Sequence, residues 1–436
     1  MPPPDPTAPR FDPRLQPLHD ELHARPFPVV HGPLEIAHIT VLRAGWTAAE
    51  EDRHFAALMA QFAVPFQGGA IAFHFINLGP LSVRVERHQE FTNYLFFRPT
   101  TRRAFETSPL AALPAGWLAG LGGTVIACTR IALTSGHHGD HDPERLACHF
   151  RGQQVVGSRV VYGNATVWTD YTRDSDGAVR YLVDDAALSA ERAGRLVQRL
   201  VEIETYRMNA MLAMPVAREI GQRLPALDTA IQRLVVELTT LSGLDQEREH
   251  LKALTALAGE VERLRTASAG RFSATRAYHQ IVTDRLAELR EEEHPGYQTL
   301  AEFLDRRMTP AMRTCTSMGA RIKELSDHLS VATDLLRTRI NINLEAQNQK
   351  ILASVDRRAA SQLRLQSAVE SLSLVAITYY GLGLAHQGFD ALAKAGAPID
   401  PAIATGVTLP FMLALVWWLI RRAHRNWVDE DAVARE

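Results

Sequence analysis

The densest group of potential ligands in this chain is His137, His138, Asp140, His141 and Asp142, five side chains within six residues. Imidazole and carboxylate together suit zinc, nickel, cobalt or manganese. No regular helical or strand spacing brings three of them to one tetrahedral point, so the segment reads as a polar turn or as a regulatory metal site. A second group lies on an expected strand, Ser82–Phe97, where alternate residues share a face. Arg84, Glu86, His88 and Glu90 then form one row, either an ion-pair ladder or a site for an anion or metal. The N-terminal motif contributes a third group, His19, Glu21, His23 and Arg25. Cys128, Cys148 and Cys315 stand far apart with neither a CxxC pair nor zinc spacing, as reduced cytosolic thiols do. There is no Gly-rich phosphate loop, no GxSxG elbow and no HExxH helix. The expectation is a protein that is not an enzyme and has no catalytic residue. Its only expected cofactors are divalent cations, as transported or regulatory ions.

The elements around these groups change character twice. Six prolines fall within the first thirteen residues, so 1–17 is expected to be a disordered lead-in. The opening lacks the apolar core of a signal peptide, which predicts that the bulk of the chain stays in the cytoplasm. Over 18–185 the apolar period is mostly two. Strands are predicted at Leu34–Arg43, Ala70–Leu78, Ser82–Phe97, Thr124–Leu133, Gln154–Tyr162, Thr166–Thr172 and Val179–Val183, a sheet of roughly six or seven strands. Thr47 with Glu50 forms a capping box for a helix over Ala48–Phe62, and a short helix is predicted over Arg102–Leu113. After Asp185 the period becomes 3.6, predicting helices over 186–213, 216–240, 244–268, 270–293 and 297–308. From Ala311 to Tyr380 there is no proline and a single glycine, Gly319, which predicts one helix of roughly 105 Å. Leu325, Leu329, Ala332, Leu336, Ile340, Leu344, Gln347, Ile351 and Val355 form a coiled-coil-like seam along it.

The C-terminal part is written for a membrane. Residues 402–420 carry no charge and end on Trp417 and Trp418, followed by Arg421, Arg422, His424 and Arg425. That is close to the roughly 20 apolar residues of a span, closed by aromatic and basic groups on the cytoplasmic side. A weaker span covers 367–385, preceded by Arg357, Arg358 and Arg364. The basic excess flanks the pair, so both termini are expected in the cytoplasm, with 422–436 as a cytoplasmic tail. Ser367, Ser371, Thr378, Gly381 and Ala385 share one sector of the first span. Such a stripe either packs helices closely or lines a polar path through an oligomer. The expected fold is therefore an α+β cytosolic domain (18–185), a helical bundle and stalk (186–366), and a two-helix transmembrane hairpin (367–421). With 47 basic and 49 acidic residues and a formal net charge of -2, no footprint for nucleic acid is present. The expected partners are the lipid bilayer and further copies of the chain, joined through the stalk and spans.

The strings HDELHARP (His19–Pro26), ERHQEF (Glu86–Phe91), RRMTPAMRTC (Arg306–Cys315), LLRTRI (Leu335–Ile340) and QLRLQSAVESLS (Gln362–Ser373) resemble an uncharacterised family of bacterial membrane-anchored proteins. That resemblance covers nearly the whole chain and implies an inner-membrane location without assigning an activity. The order of elements is similar to that of the CorA-type magnesium channels, pentamers whose first span lines the pore. Their Tyr-Gly-Met-Asn signature is matched here by Tyr380-Gly381-Leu382-Gly383, with the first pair present and the Met-Asn pair absent. This likeness implies a homo-oligomeric cation channel lined by Ser367, Ser371, Thr378 and Gly381, with Tyr380, Gly381 and Asp390 at the outer mouth. The alternative is a membrane-anchored scaffold or regulator whose cytosolic domain binds a partner.

Overall fold

A computed structural model describes residues 12–16, 18, 26–66, 73–100, 103–135, 143–150 and 154–433. In chain order the elements are β1 (Leu34–Leu42), α1 (Ala48–Gln61), β2 (Phe73–Asn77), β3 (Ser82–Arg87), β4 (Phe91–Pro99), β5 (Thr124–Ser135), α2 (Pro143–His149), β6 (Val156–Val160), β7 (Ala165–Thr169), β8 (Val179–Asp185), α3 (Ala190–Met211), α4 (Ala213–Glu237), α5 (Leu244–Glu288), β9 (Glu292–Glu293), α6 (Leu300–Lys394) and α7 (Pro401–Val433). The expected architecture holds: an α+β sheet domain, then a long helix and a C-terminal helix that are candidate spans. The chain divides into two compact units. One runs up to Leu241 and resumes over Glu249–Thr333; the other comprises Ser242–Arg248 and the chain from Asp334 onward.

In the first unit a nine-stranded sheet has the order β2-β3-β4-β1-β5-β8-β7-β6-β9. Only β5 and β8 run parallel. One face carries Ala37, Ile39, Val41, Val83, Val85, Tyr94 and Phe96, covered by Phe55, Leu58 and Met59 of α1. Helix α1 starts where expected, with Thr47 and Glu50 each accepting the other's backbone N–H. The opposite face, including Ile36, Ile131, Val167 and Tyr181, is covered by Leu196, Leu200 and Ile203 of α3 and by Leu300, Phe303 and Leu304 of α6. Helix α3 comes close because Gly194 has no side chain: a Cβ there would meet the Pro28 carbonyl oxygen at 1.6 Å.

Several expectations are corrected. Ser82–Phe97 is not one strand but a hairpin, β3 and β4, whose turn closes through His88 N–H donating to Phe91 O at 2.8 Å. The helix expected at Arg102–Leu113 is reduced to a 3-10 turn, Pro109–Ala112, capped by Ser108. Two prolines, Pro109 and Pro114, bracket that turn and restrict a longer helix. The segments expected as 244–268 and 270–293 are largely one helix, α5, because Gly270 is tolerated inside it. The helices expected over 297–308 and from Ala311 are one helix, α6, with Pro310 inside it and Leu304, Met308, Met312 and Cys315 around it all buried. Tertiary burial on both sides outweighs the lost backbone bond. The ninth strand comes from the helical half, with Arg159 and Ser158 of β6 opposite Glu292 and Glu293, so the sheet unit continues past Asp185.

In the second unit the fully buried Glu247 accepts Arg339 Nε–H at 2.7 Å and both its oxygens lie within 3.0 Å of Asn343 Nδ2. This charge-assisted cluster ties the start of α5 to α6. Along the predicted seam, Leu325, Leu329, Ala332, Leu336 and Ile340 are buried, whereas Gln347, Ile351 and Val355 are exposed.

Candidate functional site

Two regions hold features beyond core packing. The first is the hairpin of α6 and α7, two helices long and apolar enough to cross a membrane, with only 6% of each apolar window buried inside the chain. Thr378 is 4% exposed, and its hydroxyl has no partner. A Cβ at Gly381 would lie 3.2 Å from Met412 Sδ of α7. Thr378 and Gly381 therefore lie on the side of α6 that faces α7, where small residues permit close approach. Ser367 and Ser371 are exposed and donate to carbonyls of their own helix, at 3.0 Å to Arg364 O and 2.8 Å to Ser367 O. At the far end His386 Nδ1 lies 3.0 Å from Thr405 Oγ1, and Lys394 pairs with Asp390 at 2.7 Å. Tyr380 is exposed on a different side of the helix from Gly381. That side carries Val369, Ser373, Ala376, Tyr380, Gly383 and Gln387, all exposed.

The second region is the root of α6 in the first unit, where two cavities share Leu304 and Met308. One, of about 530 Å³, lies between the end of α5 and the start of α6 and is lined by His279, Arg290, Glu291 and Asp305. Burial is the largest influence on Glu291 and pushes its carboxyl up to about 7, against the Ala301 N–H that it accepts at 3.1 Å. Its Oε1 is buried without a partner. Burial also lowers the His279 pKa. The other cavity, of about 350 Å³, lies between the segment after β7 and α6 and is lined by Asp170, Tyr171, Arg207, Phe303 and Arg307, with Met308. The Tyr171 and Phe303 rings stack at 4.8 Å. The Arg207 guanidinium lies 5.7 Å from the Tyr171 ring and that of Arg307 3.7 Å from the Phe303 ring, cation–π distances. Buried Glu204 holds Arg207 through Nε at 3.1 Å and Nη2 at 2.6 Å, and accepts the Tyr181 hydroxyl at 2.7 Å.

The groups singled out from sequence fare differently. His19, Glu21, His23 and Arg25 lie outside the described residues, as do His137, His138, Asp140, His141 and Asp142. The row Arg84, Glu86, His88 and Glu90 is interrupted because β3 ends at Arg87. Buried Arg84 donates to Glu86 through Nε at 2.7 Å. His88 stacks on Phe91 at 4.5 Å in the turn, and Glu90 accepts from Arg271 at 3.1 Å. Among the described residues no group of three or more His, Cys, Asp or Glu is placed to hold a metal. No disulfide joins the three cysteines; burial pushes the Cys128 thiol up to about 11 and raises that of Cys315. Neither cavity was foreseen. Only Arg307 and Met308 fell inside a string singled out from sequence; the other walls come from segments far apart in the chain.

Such an assembly, a sheet unit and a long helix running to an apolar hairpin, is that of a protein built around two candidate membrane spans. The chain belongs to the family described as "Protein of unknown function (DUF3422)", which matches residues 12–427. No curated protein matches the chain significantly.

Proposed function

We propose that the protein is a homo-oligomeric cation channel or transporter of the inner membrane, with both termini in the cytoplasm and α6 facing its copies. The observation that carries this reading is the two-sidedness of α6. Its Thr378–Gly381 side is taken by α7, while Ser373, Ala376, Tyr380, Gly383 and Gln387 stay open on the other. Polar groups at bilayer depth favour a protein interior or a water-filled path over lipid. Along the same line toward the cytoplasm stand Ile351 and Val355, exposed by 59% and 53%. A stripe that is polar in hydrocarbon and apolar in water suits a neighbouring copy better than it suits either solvent. The axis-facing set in this reading is Ser373, Ala376, Tyr380 and Gly383, and Thr378 and Gly381 hold the hairpin together. Covalent chemistry has no part in it.

The test is the native mass of the detergent-solubilised chain, followed by divalent-cation flux in liposomes. The expected result is a defined oligomer of several copies whose flux is blocked by Ser373→Phe. A monomer or dimer supplies too few helices for a central pore and overturns the reading; flux unchanged in Ser373→Phe overturns the assigned face. The cavities at the root of α6 favour a second reading, a membrane-anchored regulator that binds a small ligand on its sheet unit. In that case an unrelated hairpin replacing both spans preserves function.

A further inference from the structure

We infer that the cavity of about 350 Å³ between the β7–β8 connection and the root of α6 is a binding site for a small zwitterion of the α-amino-acid class. The inference is independent of whether the hairpin conducts ions. Arg307 stands exposed at the cavity and makes no ion pair with any described carboxylate. Its guanidinium face is covered by Phe303, which leaves its N–H edge as the presenting side. A guanidinium edge matches a carboxylate in bidentate fashion. The Tyr171 ring forms one wall of the cavity against Phe303, and its hydroxyl is buried beside Tyr181, with its pKa raised by burial. The Tyr171 backbone is held at φ 51, a left-handed conformation that a tyrosine seldom adopts. Such strain gathers at binding sites.

The opposite charge is provided by Asp170, which is 7% exposed. One of its oxygens accepts the Thr172 N–H at 3.0 Å, and the other has no partner among the described residues. Arg207 adds no net charge, because Glu204 neutralises it. The cavity thus offers one cation and one anion together, which suits neither a bare phosphate nor a simple carboxylate. A ligand carboxylate meets the Arg307 edge while its ammonium meets Asp170. Met211, Leu304 and Met308 supply an apolar wall for a side chain. The volume lies at the small end of ligand cavities.

The test is isothermal titration of the full chain in detergent with three probes: L-leucine, 4-methylpentanoate (the same skeleton without the amine) and inorganic phosphate. The expected result is leucine binding, at about 1 mM or tighter, with 4-methylpentanoate weaker by about tenfold or more, as for a buried charge left unpaired. Arg307→Gln lies at an exposed position and should leave the fold intact while reducing leucine affinity by about tenfold. Asp170→Asn should abolish the preference for leucine over 4-methylpentanoate. A retained preference in Asp170→Asn, or phosphate binding as tightly as leucine, overturns the assignment. So does unchanged affinity in Arg307→Gln, or no heat from any probe.

Discussion

Glu291 offers a direct check on the cavity at the start of α6. Its carboxyl titrates at about 7 in the fold against an ordinary value of 4.5. A raised acid stabilises the folded state when protonated. The contribution is complete below the unfolded value and is lost as pH rises through about 7. Linkage then gives at most about 2 kcal/mol less stability at pH 8.5 than at pH 5.5 from this group alone. His279 lines the same cavity with a lowered pKa, and a lowered imidazole acts in the opposite sense, so the wild-type curve by itself decides nothing. The informative quantity is the difference from Glu291→Gln, a neutral mimic that can keep the bond from Ala301 N–H. Urea unfolding of the detergent-solubilised chain, read by hydrogen exchange in β6 and β7, should show a curve flatter in that variant by up to about 2 kcal/mol over the interval. It should also show the variant as the more stable protein at pH 8.5. Parallel curves for the two proteins, or a wild type that gains on the variant toward alkaline pH, would refute an acid raised by burial.

Four more results are expected. Gly194→Ala places a methyl against the Pro28 carbonyl oxygen and should cost about 1–3 kcal/mol by overpacking. Gly270→Ala, inside α5 with nothing within 4 Å of the new carbon, should gain up to about 1 kcal/mol in urea midpoint experiments. Thr205→Val removes a hydroxyl that lies 3.1 Å from Thr40 Oγ1 and 3.2 Å from His38 Nε2 in a fully buried network, for a loss of about 1–3 kcal/mol. That loss should appear as faster exchange in β1 and β4. Finally, Gly381→Leu should block the close approach of α7 and lower the yield of folded hairpin. Gly383→Leu has nothing within 4 Å and should leave the isolated chain intact while reducing the native mass; equal effects of the two would refute the two-sidedness of α6.

What the sequence revealed follows from where the signals are local. Thr47 and Glu50 lie three residues apart, so their capping box could be read directly, and β1, β5 and β8 are rich in apolar and β-branched residues. The β3–β4 hairpin was missed because His88-Gln89-Glu90 has no glycine or proline, and the turn is closed by pairing of Val85 with Tyr94 and its neighbours. The helix over Arg102–Leu113 fails for the opposite reason: its apolar spacing is helical, but Pro109 within it and Pro114 just after it restrict the chain to a 3-10 turn. Strand β9 is only two residues long, too short to show any period, and exists because β6 offers an edge. The cavity residues Asp170, Arg207 and Arg307 are each ordinary surface-type residues in their own windows. Their meeting is a tertiary fact, and only the Arg306–Cys315 string pointed near it.

Helix α6 also shows why periodicity alone could not assign the exposed face of the candidate span. Its apolar residues near Leu300 are buried in the sheet unit, those from Leu325 to Ile340 are buried along the seam, and from Ile351 the same line becomes exposed. A helix wheel of the first span finds two narrow stripes of small or polar residues, one through Thr378 and Gly381, the other through Ser373, Tyr380 and Gly383. The first drew attention in sequence because all its members are small or hydroxylated. The second is interrupted by a tyrosine and so reads as ordinary. Once α7 is in contact with Gly381, the Thr378–Gly381 part of the first stripe is covered, whereas the second stripe stays exposed. Selection between the stripes is therefore made by the hairpin partner, through the single methyl that Gly381 lacks.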